Sequence, residues 1–165
     1  MVLNLMKNKQ VRYIIVNNNI YIEFIICSTI LGLLYMNSKN ILHKDIKPEN
    51  LLFDENGYIV ITDLGVASKL EDKITAISGT PGYMSPEYFL DCYCCINSDY
   101  FSLGVLAYEL MIGKRPYIAK NKKELKTIMK DTEIQITKDE IPNGWSLEAA
   151  DFINRVSAYI YYNTI

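Results

Sequence analysis

The stretch that most constrains this chain runs from Ile41 to Gly65, ILHKDIKPENLLFDENGYIVITDLG. It sets His43, Lys44, Asp45, Lys47 and Asn50 in one short polar loop, follows them with two apolar runs joined by a turn, and then places a second acid, Asp63. The runs Leu51 to Phe53 and Tyr58 to Thr62 are rich in β-formers. Between them stands Asp54-Glu55-Asn56-Gly57, whose Asn-Gly pair predicts a hairpin because both residues tolerate positive φ. Such a hairpin returns Asp63 to the side of Asn50. An acid, a lysine two residues on, an amide three residues further and the second acid then converge on one small volume. That is a layout for phosphate and divalent metal. The amide and the second acid are hard oxygen ligands suited to Mg²⁺, the lysine is a point charge for a phosphate oxygen, and the first acid is free to take a proton.

At 165 residues, half of them hydrophobic, the chain can build one domain with a real core. A net charge of −2 with scattered basic residues gives no footprint for nucleic acid. Three of the four cysteines cluster at Cys92, Cys94 and Cys95, but there is no second Cys pair, and the single histidine lies in the polar loop. They read as reduced cytoplasmic thiols rather than a metal site, with Cys27 an ordinary buried one. The most apolar stretch, Phe24 to Met36, falls short of the ~18 to 20 residues that span a bilayer and reads as a core helix, not a membrane span. No signal peptide is legible, since Asn4 interrupts the start and no small-residue cleavage site follows a long apolar run.

In chain order, Met1 to Met6 reads as the end of a buried strand running into a polar linker. From about Ile20 to Asn40, apolar residues at Ile22, Ile25, Ile26, Ile30, Leu33, Leu34 and Met36 predict a deeply buried helix stopped by Asn37, Ser38 and Asn40. Val66 to Ser78 lacks a period and reads as a mobile loop containing Thr75 and Ser78. Gly79, Pro81 and Gly82 form a rigid turn, and Ser85-Pro86-Glu87 opens a helix with a side-chain cap. A second buried helix is predicted from Ser98 to Ile112, ended by Gly113, then an amphipathic helix over Lys122 to Lys130 and a capped helix from Ser146 to about Ser157.

HxD followed by KPEN, then DLG, then GTPGYMSPE from Gly79 to Glu87 occur in this order and spacing. In these motifs the chain resembles the catalytic core of a eukaryotic Ser/Thr protein kinase over about residues 1 to 155. The resemblance implies a protein-kinase-like fold, C-terminal lobe only: mainly α with a small β-hairpin, the small lobe missing, and residues 156 to 165 a divergent tail. It implies Asp45 as catalytic base, Lys47 balancing charge on the transferred phosphoryl, and Asn50 with Asp63 holding Mg²⁺. Thr80 steadies the base and, with Lys47, points to Ser/Thr rather than Tyr acceptors in protein substrates. The ATP contacts implied are Leu3 at the gatekeeper position, Asn4 and Met6 in the hinge, and Lys47, Asn50 and Leu52. His43 packs behind the loop, and Asp99 accepts loop backbone N–H groups.

Departures from the family pattern are equally informative. Lys44 stands where many kinases have an arginine gripping the activation-loop phosphate, and Ala76 sits near the usual phosphothreonine, so switching by that phosphate is not implied, though Thr75 and Ser78 remain as sites. Leu64 replaces the usual Phe and Ser85 the usual Ala. Glu87 lacks the arginine that normally follows, so it should be exposed or cost about 3 to 5 kcal/mol as a buried unpaired carboxylate. No glycine-rich phosphate loop, strand lysine or helix glutamate precedes the hinge. The function implied is transfer of the γ-phosphoryl of ATP to protein Ser or Thr, inactive in this fragment. A non-catalytic kinase-lobe binding module and an incomplete gene product are the alternatives. Self-association is expected through MVLNLM, the apolar surface around Leu51 and Leu52, and the tail around Tyr159, Ile160, Tyr161 and Tyr162.

Overall fold

The computed structural model describes Val11 and residues 19–73 and 76–158; of Asn19 and Ile20 it describes the backbone alone. The expected strand Met1 to Met6, with Leu3, Asn4 and Met6, together with Thr75 and the tail beyond Ala158, lies outside the described residues.

Among the described residues, five α-helices and two small antiparallel sheets follow in chain order: α1 (Asn19–Ser38), β1 (Ile41–Leu42), β2 (Leu51–Phe53), β3 (Ile59–Ile61), β4 (Ser68–Lys69), α2 (Pro86–Asp91), α3 (Ile96–Ile112), α4 (Lys122–Asp131) and α5 (Leu147–Val156). The described residues are built around α3, which packs against both α1 and α5. Its sequence is apolar almost all round, and Phe101, Leu103, Val105, Leu106 and Leu110 are all buried. Ile25 and Leu33 of α1 and Ile153 of α5 complete the centre. This continuous apolar contact is what fixes the polar loop that follows β1. The helix begins at Ile96, two residues before the expected Ser98, because the Ser98 hydroxyl turns back to accept the Cys95 N–H inside the first turn.

α1 departs from the sequence reading. It is not buried all round: Ile22, Ile25, Ile26, Thr29 and Leu33 face inward, while Tyr21, Phe24, Cys27, Leu31, Leu34 and Tyr35 are exposed. Cys27 is therefore not a buried thiol. The apolar pattern was wide enough for two faces, and the fold supplies partners for one. By length and composition its window Tyr21–Ser38 is also apolar enough to cross a bilayer, longer than the stretch judged from Phe24 to Met36.

β2 and β3 form the predicted hairpin, with Leu51 opposite Ile61 and Phe53 opposite Ile59. The turn differs from expectation. Gly57 has positive φ (85°) but Asn56 does not. The turn is organised by Asp54, whose Oδ1 accepts the N–H groups of Asn56 and Tyr58 at 2.8 Å each. A connection closed by a carboxylate in this way needs one left-handed residue, not two. In the segment read as an unstructured loop, Ser68 and Lys69 pair with Leu42 and Ile41. At α2, Ser85 holds the cap position without the expected side-chain bond, and its buried Oγ has no partner among the described residues.

Candidate active site

The loop from His43 to Asn50 is held from behind by Asp99, wholly buried in the first turn of α3. Its Oδ2 accepts the His43 N–H and its Oδ1 the Lys44 N–H, both at 2.8 Å. Burial pushes the Asp99 carboxyl above its ordinary value, against the opposing pull of these two N–H groups. Lys44 takes a left-handed backbone, φ 65°, which reverses the chain just before Asp45.

His43 is a bracket between loop and hairpin. Its Nδ1 accepts the Asp45 N–H at 3.2 Å, so Nε2 carries the proton and donates to the Thr62 carbonyl at 3.0 Å. Fully buried and bonded at both nitrogens, it has no lone pair to offer a substrate. The Thr62 N–H donates to the Asn50 carbonyl at 2.9 Å, and this bond sets the start of the Asp63 segment against the end of the loop.

Asp45 is 8% exposed. Its Oδ2 lies 2.7 Å from the Lys47 ammonium and accepts from Asn50 Nδ2 at 3.1 Å; the same amide also donates to the Asp45 carbonyl at 2.8 Å. Lys47 donates in turn to Thr80 Oγ1 at 2.8 Å, tying the loop to the turn 33 residues later. Burial alone would raise the Asp45 carboxyl, but the hydrogen bonds and charge of Lys47, with Thr80 and Asn50, hold it below its ordinary range. Asp45 Oδ1 is buried and has no hydrogen-bond partner among the described residues. One oxygen is anchored and the other is ready to accept.

Gly79 makes this convergence possible. Its φ is +109°, and a Cβ there would collide with the Lys44 carbonyl and come within 3.5 Å of Asp45 Oδ1. Only glycine lets the turn bearing Thr80 pass this close under the loop.

Beside these groups lies a cavity of about 370 Å³, lined by Lys47, Asn50 and Thr80 together with Glu49, Tyr83, Glu109 and Arg115. The Tyr83 hydroxyl donates to Glu109, and the Arg115 guanidinium stands 5.8 Å above the Tyr83 ring. Burial and the Glu109 carboxylate push the Tyr83 phenol up. Sequence reasoning passed over Tyr83, Glu109 and Arg115. Tyr83 lies 26 residues before Glu109 and 32 before Arg115, and only the packing of α3 under the turn brings them together.

Asp63 is exposed, with φ 65° and Oδ1 accepting the Gly65 N–H at 3.2 Å. The Asn50 amide nitrogen is used by Asp45, which leaves its side-chain oxygen as the metal-type donor. One carboxylate and one amide oxygen suit Mg²⁺, which keeps waters and takes the rest of its shell from a bound phosphate. No cluster of three or more His, Cys, Asp or Glu suited to a metal occurs among the described residues. Leu52 is half-buried on β2, whereas Leu51 is fully buried and adds nothing to the bare surface expected around it.

Glu87 is not exposed. It is buried, and Ser98 Oγ donates to its Oε1 at 3.2 Å. Arg155 borders the same cavity of about 200 Å³ but pairs with Asp151 at 2.9 Å. A hydroxyl thus stands where an ion pair was required.

The protein kinase domain model matches residues 1–160. The chain belongs to the eukaryotic Ser/Thr protein kinase family. A probable serine/threonine-protein kinase of Dictyostelium discoideum is 35% identical over 136 residues, covering 81% of this chain and 29% of that protein. Serine/threonine-protein kinase 32C of Mus musculus is 37% identical over 131 residues, 71% of this chain and 26% of its own length. A cGMP-dependent protein kinase of Drosophila melanogaster, isozyme 2 forms cD5/T2, is 46% identical over 85 residues, 50% of this chain and 9% of its own. The kinase chain described here thus spans less than a third of each of these relatives.

Proposed function

We propose that this chain carries the phosphoacceptor half of a Ser/Thr protein kinase active site, for transfer of the γ-phosphoryl of ATP to protein Ser or Thr hydroxyls, and that its 165 residues do not turn over alone. The observation that carries the reading is Asp45, with Oδ2 anchored by Lys47 and Asn50 and a buried, unpartnered Oδ1. A carboxylate held ionised in this way orients a substrate hydroxyl and takes its proton. Lys47, already bridging Asp45 and Thr80, sets its ammonium where charge on a phosphoryl oxygen develops. Thr80 closes the acceptor side with a small hydroxyl turn that leaves room for Ser or Thr. Asn50 and Asp63 would hold Mg²⁺, which supplies neutralisation of phosphate charge.

The inactivity of the 165 residues follows from what has to grip the nucleotide. All eight glycines of these 165 residues lie at or after Gly32, so the 165 residues themselves hold no glycine-rich phosphate loop ahead of the catalytic loop. An ATP lacking an upper wall loses apolar burial of about 100 Å², near 2.5 kcal/mol or almost a hundredfold in affinity.

Radiolabelled ATP and a generic basic protein substrate test both statements. The pure chain should incorporate no phosphate; incorporation that vanishes in Asp45→Asn would overturn the claim of inactivity. Joined to a donor small lobe with a glycine-rich loop and strand lysine, it should phosphorylate Ser or Thr in a Mg²⁺-dependent way and lose this in Asp45→Asn or Asp63→Asn. A joined protein that binds ATP yet transfers nothing would overturn the kinase reading.

A further inference from the structure

α1 carries an outward apolar face that the catalytic reading does not use. Leu31 is 68% exposed, Tyr35 67%, Leu34 52% and Phe24 40%. With Cys27, Ser28 and Ser38 these residues fall at spacings of three, four and seven, one stripe along the helix centred on Leu31. The only charged residue in α1 is Glu23, and Lys39 follows immediately after its end.

We propose that this stripe is a self-association face, on which two copies of the chain pair through α1 in antiparallel orientation about Leu31. The proposal is independent of the kinase chemistry and rests on how the stripe complements itself. A two-fold axis at Leu31 brings residues whose numbers sum to twice 31 to the same level along the pair. Tyr35 then meets Cys27 of the partner subunit, Leu34 meets the partner's Ser28, and Phe24 meets the partner's Ser38. At each of these three levels a large side chain stands beside a small one, and Leu31 meets the partner's Leu31 at the centre, an arrangement by which facing helices interdigitate at interaxial distances of about 8–10 Å.

The charges choose the same orientation. Antiparallel pairing puts Glu23 level with Lys39 of the partner subunit and holds the two glutamates about 24 Å apart along the axis. Parallel pairing would set Glu23 beside the partner's Glu23 and Lys39 beside the partner's Lys39, with large side chains opposite large and small opposite small. Like charges set opposite one another oppose association, so the antiparallel form is favoured on both counts.

Sedimentation equilibrium on the full chain at tens of micromolar should give a dimer. Leu31→Asp or Tyr35→Glu should raise its dissociation constant about tenfold or more, with the far-ultraviolet circular dichroism unchanged. Disulfide trapping reads the register, in a Cys92→Ser background that removes the other exposed thiol. Tyr35→Cys should cross-link to native Cys27 of the partner subunit, and Leu31→Cys with Cys27→Ser should cross-link to itself. Native Cys27 alone should not, because antiparallel pairing leaves the two copies about 12 Å apart along the axis, beyond disulfide reach. A monomer, an oligomer indifferent to both α1 substitutions, or ready Cys27 to Cys27 cross-linking would each overturn the proposal. So would flotation of the chain with phosphatidylcholine vesicles in place of dimerisation, or a monomer in which Leu31→Cys resists maleimide because residues 1–18 cover the stripe.

Discussion

The backbone N–H of Lys44 donates to Asp99 Oδ1 at 2.8 Å across 55 residues of chain, and it does so from a left-handed conformation, φ 65°. A non-glycine residue in that region costs about 1–3 kcal/mol, so something must hold it there. Asp99 does, by taking the N–H groups of His43 and Lys44 on its two oxygens.

Asp99→Ala should therefore cost about 2–5 kcal/mol, since it leaves two loop N–H groups without their acceptor. Asp99→Asn, which keeps one acceptor oxygen, should cost less. Urea unfolding of the two variants checks this. A loss below about 1 kcal/mol for the alanine variant would mean the loop is held by its other contacts.

Asp45 gives a pH dependence with a definite sign. Its folded carboxyl lies below the ordinary range, so the Lys47 pair contributes stability that is fully present above the unfolded value, about 3.9, and is lost as pH falls through the lower folded one. The stability difference between native protein and Asp45→Asn should then be flat from pH 7 to about 5 and shrink only below about pH 4. Its size at neutral pH should be about 1.5–3 kcal/mol, as for a hydrogen bond to a charged group. A difference that already collapses between pH 7 and 5 would show that Lys47 and Asn50 do not hold the carboxylate.

Much of this site was legible because it is local. Asp45, Lys47 and Asn50 lie within six residues, and a hairpin is enough to return the chain toward Asp63. The family's GTPGYMSPE run placed Thr80, and the spacing of apolar residues located α3, α4 and α5 to within two residues. What was not legible depends on approach between distant segments. The β1–β4 pairing rests on two residues from each strand, too short to show a period. The exposed half of α1 looked buried because hydrophobicity marks a face as apolar without saying whether a partner exists. The contact of Tyr83 with Glu109, and the standing of Arg115 over the Tyr83 ring, exist only once α3 lies beneath the turn.

The cysteine cluster should separate by reactivity. Cys92 is exposed, whereas burial pushes the Cys94 thiol up to about 12. The thiolate is the nucleophile, so at pH 8 iodoacetamide should modify Cys92 at least about tenfold faster than Cys94. Mass spectrometry of a time course resolves the two, and equal rates under native conditions would place Cys94 outside the core.

At Gly104, α3 lies close against the end of α5. A Cβ there would strike Ser157 Oγ and come within 2.9 Å of Val156 Cγ1. Gly104→Ala should cost about 1–3 kcal/mol by overpacking, because the helix gains a methyl where its neighbour has no room to retreat. Ser157 Oγ is itself buried without a partner among the described residues. Ser157→Ala removes that hydroxyl and should be neutral or stabilising, since no hydrogen bond is lost. If the two positions meet as the geometry says, the double variant should recover part of the Gly104→Ala loss, with a coupling of about 0.5–3 kcal/mol in a double-mutant cycle. Strict additivity in thermal or urea unfolding would show that α5 does not close on α3 at this point, and the buried environment of Ser157 would need a different origin.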